Sequence, residues 1–389
     1  MTDSCDILIV GGGPVGAALA LGLGGSGLRV TLLEAQQAAA GRDDGRFLAL
    51  SYGSRLILER LGAWQTLVAA ATPIKHISVS QQRGFGRVEL SATEARVPAL
   101  GYVTGYDDLQ RVFSAALERS DVRVIAGCRA LAVNGDGNSA AITMTHDGSQ
   151  QELFARLIVI ADGGANLNLA HTKTRDYLQA AVVCNMASER PHQSRAFERF
   201  TPYGPVALLP TIYGWSLVWT AAPDHAQELA ALPDAEFCSR LASALGASFG
   251  AVFGDFRLLS QRRIFSLVLK YATQPVAPRT ILVGNAAQTL HPVAGQGFNL
   301  GLRDAWELAR LIVARGASDP GARPLLNVYC AQRHCDRTAT ILFTDSLIRL
   351  FSNDNPLLDP VRGIGLAAMG SIPPARNFLA RRMMFGARG

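Results

Sequence analysis

The sequence predicts an α/β protein. A doubly wound domain with parallel strands is interrupted by an inserted domain built on antiparallel sheet, and a helical segment follows at the C-terminus. Three observations predict it. A short apolar run at residues 6–10 opens directly onto Gly11-Gly12-Gly13. Two more apolar runs, at 157–161 and 280–283, have the same buried-strand character, the first followed by Asp162-Gly163 and the second by Gly284. Between them, from 177 to about 274, the chain loses the strand–helix alternation and reads as short strands with period-two patterning.

In chain order, residues 17–22 continue from the glycines as a small-residue helix, and Val30-Thr31-Leu32-Leu33 forms the second strand, ending in Glu34. This is a βαβ opening. Residues 43–46 read as loop, and 48–61 carry apolar positions at helical spacing. Strands are predicted at 77–80, 88–90, 122–125 and 141–144, and a helix at 107–117 with Asp107 or Asp108 near its N-cap. In the inserted region, strands are expected at 181–187, 196–201, 207–209, 216–219, 257–259 and 264–267, with a helix at 234–245. Helices at 299–314 and 325–350 then follow, and Pro356, Pro360, Pro373 and Pro374 break up the tail.

A length of 389 residues is enough for two or three domains. Apolar residues make up 49% and charged residues 17%, which excludes a globally disordered chain. The net charge of +6 is spread along the sequence, without the basic stripe or module that nucleic-acid binding needs. It is either a solvated basic surface or an attraction for an anionic cofactor or an anionic membrane face. Cys5, Cys128, Cys184, Cys238, Cys330 and Cys335 are scattered without a C-x-x-C pair, so no metal site or disulfide framework is expected. A reducing, cytoplasmic setting fits that cysteine usage. Asp3 and Asp6 stand where a secretion signal would carry positive charge, and no stretch is apolar enough to cross a bilayer.

Three motifs carry chemistry. In Gly11-x-Gly13-Pro14-Val15-Gly16, glycines let the backbone turn sharply and approach a pyrophosphate, while the helix N-terminus supplies oriented N–H donors. Glu34 lies at about the spacing of 20 residues expected for a carboxylate on a ribose hydroxyl. Only one such fingerprint exists, so a nicotinamide cofactor would have no Rossmann site of its own. Asp162-Gly163 directly follows a strand and, alone, signals a turn. The long run from Gly284-Asn285 through His291-Pro292, Gly295-Gln296-Gly297 and Asn299 to Arg303-Asp304 follows a strand and opens a helix. Its glycines permit close approach to a flat ligand, and the helix N-terminus would stabilise negative charge on a reduced flavin.

These motifs together resemble the FAD-dependent aromatic-hydroxylase family typified by 4-hydroxybenzoate hydroxylase. Within it, Asp44-Gly45-Arg46, the run from Arg195 to Thr201 and Thr344-Asp345-Ser346-Leu347 are similar to the bacterial ubiquinone-biosynthesis subgroup, of 2-octaprenyl-6-methoxyphenol hydroxylase type. The family usually has Asp where this chain has Asn285, which still hydrogen-bonds but carries no charge. The resemblance implies a discontinuous FAD-binding domain (1–74, 101–176 and 275–320), a substrate domain (75–100 and 177–274) and a helical C-terminal segment (321–389). It implies FAD contacts from Gly11, Gly13, Pro14, Val15, Gly16, Glu34, Arg46, Gln110 with Arg111, Asp162, Asn285, Pro292, Gly295, Gln296, Gly297 and Asn299, and no metal.

The implied chemistry is reduction by NADPH or NADH, reaction with O2 to a flavin C4a-hydroperoxide, and oxygen transfer to an electron-rich ring, here that of a polyprenyl phenol. A closed apolar pocket is then required, and Phe197, Phe200, Tyr213, Trp215 and Trp219 are either its lid or sheet core. His291 is the first candidate for a catalytic base, with a structural hydrogen bond as its other reading; His76, His192 and Tyr203 follow. Residues 375–388 mix Phe378, Leu379, Met383, Met384 and Phe385 with Arg376, Arg381, Arg382 and Arg388. They are either a surface helix on the inner face of an anionic membrane or a helix packed on the FAD domain. A ubiquinone-biosynthesis complex is a further expected partner. A soluble aromatic substrate and a non-catalytic FAD-binding subunit are open alternatives. The W-x-W-x-I-P pattern of flavin halogenases is not matched by Trp215-Ser216-Leu217-Val218-Trp219.

Overall fold

The structure is a computed structural model that describes residues 4–37, 45–82, 84–164, 167, 171–316, 318–352 and 358–388. Asp3, Asp43, Asp44 and Pro356 lie outside the described residues.

Five parallel strands form the centre of the first sheet, in the order Thr280–Leu282, Ser149–Ile160, Ser4–Val10, Val30–Glu34 and Arg123–Ala126. Strands buried on both faces need near-continuous apolar sequence, and Ile7, Leu8, Ile9, Leu157, Ile158 and Val159 are all fully buried. The helix Pro14–Leu23 packs against Gln296–Ala314 at glycine contacts. A Cβ on Gly22 would lie 2.9 Å from that of Ala309, and one on Gly301 would lie 3.0 Å from Val15. The C-terminal ends of the parallel strands therefore open onto one edge, where ligands bind in such sheets.

The second sheet has nine strands, drawn from 76–91 and 172–272 with Gln288–Thr289 added at one edge. Its strand Thr172–Ser188 runs unbroken through the 176/177 boundary read from the sequence. Most pairings are antiparallel, as expected, but Arg195–Thr201 pairs in parallel with His76–Gln81. The outer face is covered by Pro223–Ala231, Asp234–Leu245 and Ala247–Phe253. Here the aromatics form core. Phe197 meets Phe249 at 4.9 Å between ring centroids, Trp215 meets Phe253 at 5.3 Å, and Trp219 meets Phe237 at 5.6 Å. Phe200 stacks on Phe351 at 4.2 Å, and Tyr213 is exposed in a turn.

The single helix expected over 48–61 is a strand, Phe47–Ser51, followed by a helix, Tyr52–Arg60. Ser51 is the break. Its side chain accepts from the Ser54 N–H, so it caps the helix and ends the strand. The helix predicted from 299 begins three residues earlier, at Gln296, because Gly295 at φ +58° turns the chain into it. The tail is helical: Arg323–Phe351, Leu358–Ser371 and Pro373–Phe385.

Candidate FAD and active site

Gly11 and Gly16 are required by packing. Gly11 has φ +107°, and a Cβ there would sit 2.6 Å from the Ala161 carbonyl oxygen. A Cβ on Gly16 would sit 1.9 Å from that of Gly11. Gly13 differs: a Cβ there would meet only the Tyr106 hydroxyl, at 3.7 Å. It precedes a helix with no side-chain cap and no acidic residue in its first turn. Oriented N–H groups therefore face open space at the strand ends, which is the geometry an anion needs.

Around this turn the Glu34 carboxylate accepts from the Gly12 N–H (2.7 Å) and the Gln36 N–H (2.8 Å). Gln110 donates to the Gly12 carbonyl at 2.8 Å, and its own Oε1 is buried without a hydrogen-bond partner among the described residues. Arg46 lies over the rings of Tyr106 (5.2 Å) and Phe265 (5.8 Å). Arg111 is turned outward, paired with Asp108. Asp162 accepts from the Gly164 N–H at 2.8 Å, and a Cβ on Gly164 would lie 3.1 Å from the Asn285 carbonyl oxygen. The Asp162 turn and the exposed Asn285 are thus brought together from distant parts of the chain.

The third motif wraps the start of the helix Gln296–Ala314. Gly297 has open space where a side chain would be, and Pro292 is exposed. Gly295 packs against Ala49, and Gln296 is buried. Asn299 is also buried, with its amide fully engaged. It donates to Ala49 O (2.8 Å) and Gly295 O (2.7 Å), and accepts from Ser51 N (2.8 Å) and Ser54 Oγ (2.7 Å). It clamps this helix to the strand Phe47–Ser51. His291 is buried, and its Nδ1 accepts from the Val293 N–H at 3.1 Å. The proton of the neutral ring then sits on Nε2, and burial lowers the ring's pKa to about 4. It holds the turn and has no basic nitrogen left to offer.

The inner face of the nine-stranded sheet looks toward this motif. Val79, Val183, Ala207, Leu209 and Val218 are only half-buried there, whereas Val182, Cys184, Leu208 and Leu217 on the opposite face are fully buried. The period of two gathers the former into a half-buried aliphatic wall. One ionisable residue of Arg195–Thr201, Glu198, belongs to this face, directly opposite Val79 and Ala207. The sequence assigns 196–201 to a strand of the inserted region and gives Glu198 no role of its own. Ala196 and Phe200, two residues to either side, share the face of Glu198 by the period of two, and that was the available signal.

Open donors at a helix N-terminus, a carboxylate at the second strand end and an uncapped glycine turn beneath an aliphatic wall define a dinucleotide-binding oxidoreductase site. The chain belongs to the FAD binding domain family, whose sequence profile matches residues 4–343. It is 35% identical to "Ubiquinone hydroxylase UbiL" of Rhodospirillum rubrum, over 97% of this chain and 89% of that protein. It is 32% identical to the 3-demethoxyubiquinol 3-hydroxylase of Escherichia coli, over 93% and 94%. Its fold matches that of p-nitrophenol 4-monooxygenase PnpA from Pseudomonas putida DLL-E4 with a TM-score of 0.80, 18% identity and full coverage of both chains. The protein is an FAD-dependent monooxygenase.

The residues present fit FAD. Gly13 and Gly297 leave open the places a side chain would fill, and Gln110 Oε1 is an acceptor awaiting a donor.

Proposed function

We propose that the protein hydroxylates the aromatic ring of a polyprenyl phenol, 2-polyprenyl-6-methoxyphenol, in ubiquinone biosynthesis. The observation that carries this is the 35% identity to a ubiquinone hydroxylase over nearly the full length of both chains. The half-buried aliphatic wall supports it, since a prenylated ring needs a long apolar surface.

In this reading the N–H groups after Gly13, with Pro14 and Val15, hold the pyrophosphate, and Glu34 holds the adenosine ribose. Asp162 and Asn285 flank the diphosphate–ribityl stretch, with Arg46 and Gln110 on its other side. Pro292, Gly295, Gln296 and Gly297 line the flavin ring, and Asn299 fixes their turn. Bound FAD, once reduced, supplies the activation of O2. The protein's own part is to hold the ring against the wall and keep water out.

Deleting the gene in its host and analysing the lipid extract by mass spectrometry tests this. Accumulation of the polyprenyl methoxyphenol in air is expected. Normal ubiquinone without that intermediate would move the substrate to a soluble aromatic.

A tail-bearing substrate also requires access to lipid. Among the described residues no helix is long and apolar enough to cross a membrane. Within the tail, Leu379, Met384 and Phe385 pack into core with Val88, Leu90 and Phe351. Val361, Ile364 and Phe378 are instead exposed on the helices Leu358–Ser371 and Pro373–Phe385, as is Ile372 between them. We assign the lipid contact to these four residues. The double substitution Ile364→Ser, Phe378→Ser is expected to reduce co-sedimentation with anionic vesicles by about tenfold, with FAD content unchanged. Equal sedimentation of the variant and the parent would exclude this surface.

A further inference from the structure

We propose that Glu198 accepts the proton of the substrate's phenolic hydroxyl and so raises the ring's electron density for oxygen transfer. The assignment rests on the phenol reading above. Glu198 lies at the junction of the wall and the cofactor turn. On the flanking strands it faces Val79 and Ala207, and the backbone N–H of Ala294, between His291 and the helix start, is directed at its carboxylate. Its Oε1 is buried without a hydrogen-bond partner among the described residues. A buried acceptor with no donor is costly to keep, and a phenol O–H pressed against the aliphatic wall is the donor it lacks. His291, the other ionisable side chain of that turn, has its Nδ1 occupied and its Nε2 protonated. Burial raises the Glu198 carboxyl pKa to about 7, so it takes up and returns a proton near neutrality.

The step balances within the site. The phenol O–H bond breaks, its electron pair stays on the phenol oxygen, and the proton passes to Oε1 of Glu198. When the hydroxylated ring recovers its aromaticity, the hydrogen on the attacked carbon is lost as a proton to solvent water and Glu198 returns its own to the phenol oxygen.

The test uses the purified, FAD-loaded full chain with two probes, 2-methoxy-6-prenylphenol carrying one isoprene unit and its methyl ether. Product, NADPH consumption and hydrogen peroxide are measured. Glu198→Gln still offers an oxygen to Ala294 but cannot take a proton at neutral pH. It is expected to lower kcat for phenol hydroxylation by at least about 100-fold, with KM changed by less than about threefold and NADPH consumption diverted to peroxide. The methyl ether, which has no proton to give, should be comparably slow with the parent enzyme and no slower with the variant, since both changes delete one interaction. Glu198→Asp, which keeps the carboxylate on a shorter arm, should recover part of the rate. Phenol hydroxylation by Glu198→Gln within about threefold of the parent, or a parent that turns over the ether as fast as the phenol, overturns the assignment. If Glu198→Gln does not retain FAD, the ether comparison and Glu198→Asp decide. A parent that hydroxylates neither probe overturns the phenol reading together with Glu198, whereas an active parent with an unaffected variant overturns Glu198 alone.

Discussion

Replacing Asp304 with alanine is expected to destabilise the protein by about 3–5 kcal/mol, read from urea denaturation of the FAD-loaded and FAD-free forms. Asp304 is buried on the helix Gln296–Ala314, where its carboxylate accepts from Arg333 Nε at 2.8 Å and from Gln288 Nε2 at 2.6 Å. Beside it, Asp336 receives Arg303 Nε at 2.8 Å, Arg333 at 2.8 Å and the Ala387 N–H at 2.7 Å. All four charged side chains are nearly inaccessible to solvent. Removing Asp304 leaves the Arg333 guanidinium with a single buried counter-charge, and uncompensated burial of charge is the expensive term. Replacing the pair together, Asp304→Leu with Arg333→Met, should recover much of the loss. A loss below about 1 kcal/mol for Asp304→Ala, the range of exposed ion pairs, would mean that Asp336 alone satisfies Arg333.

The same cluster sets an acid limit. Burial acts to raise the Asp336 pKa, but Arg303 and Arg333 outweigh it and hold the carboxyl below its ordinary value. A depressed carboxyl contributes stability that is fully present above its unfolded value, near 3.8. That contribution is lost as pH falls through the lower folded value.

Gly16→Ala is expected to lower FAD affinity by more than about 100-fold, at least the coupling of a whole binding turn. The added methyl would lie 1.9 Å from the Gly11 carbonyl oxygen, and Gly11, pressed on Ala161, has nowhere to move. The turn must open, and with it the N–H groups proposed to hold the pyrophosphate. Flavin absorbance per protein after purification, followed by FAD titration, measures this. Gly13→Ala is the informative contrast. Its methyl meets nothing closer than 3.7 Å, so the fold should persist while the ligand's approach is blocked. A Gly16→Ala protein that purifies yellow at full occupancy would remove the steric argument.

What was legible in the sequence follows from how local each signal is. Residues 6–34 announce themselves because glycines, apolar strands and Glu34 interact within a single βαβ unit. The third motif was legible for the same reason. The parallel pairing of His76–Gln81 with Arg195–Thr201 was not, since nothing within either strand encodes a partner more than a hundred residues away. The strand Phe47–Ser51 was hidden because Leu48 and Leu50, alternating before a true helix, also fit the helical period. Asn299 was singled out as a flavin contact, yet its amide makes four bonds to protein, a count visible only once Ala49, Ser51 and Ser54 are beside it. The charges of Arg303, Asp304, Arg333 and Asp336 look like solvent-facing helix surface in one dimension. Only the packing of two helices makes them interior.

That interior cluster also bears on the order in which the protein is made. Its members span residues 288 to 387, and the Ala387 amide supplies one of the bonds on Asp336. A ribosome that has delivered the glycine turn, the strands of all three sheets and the loop before Gln296 has still not delivered Asp336, which neutralises the arginines behind that loop. Assembly of the FAD site is therefore expected to finish late in synthesis, when the last helices fold back onto chain made long before.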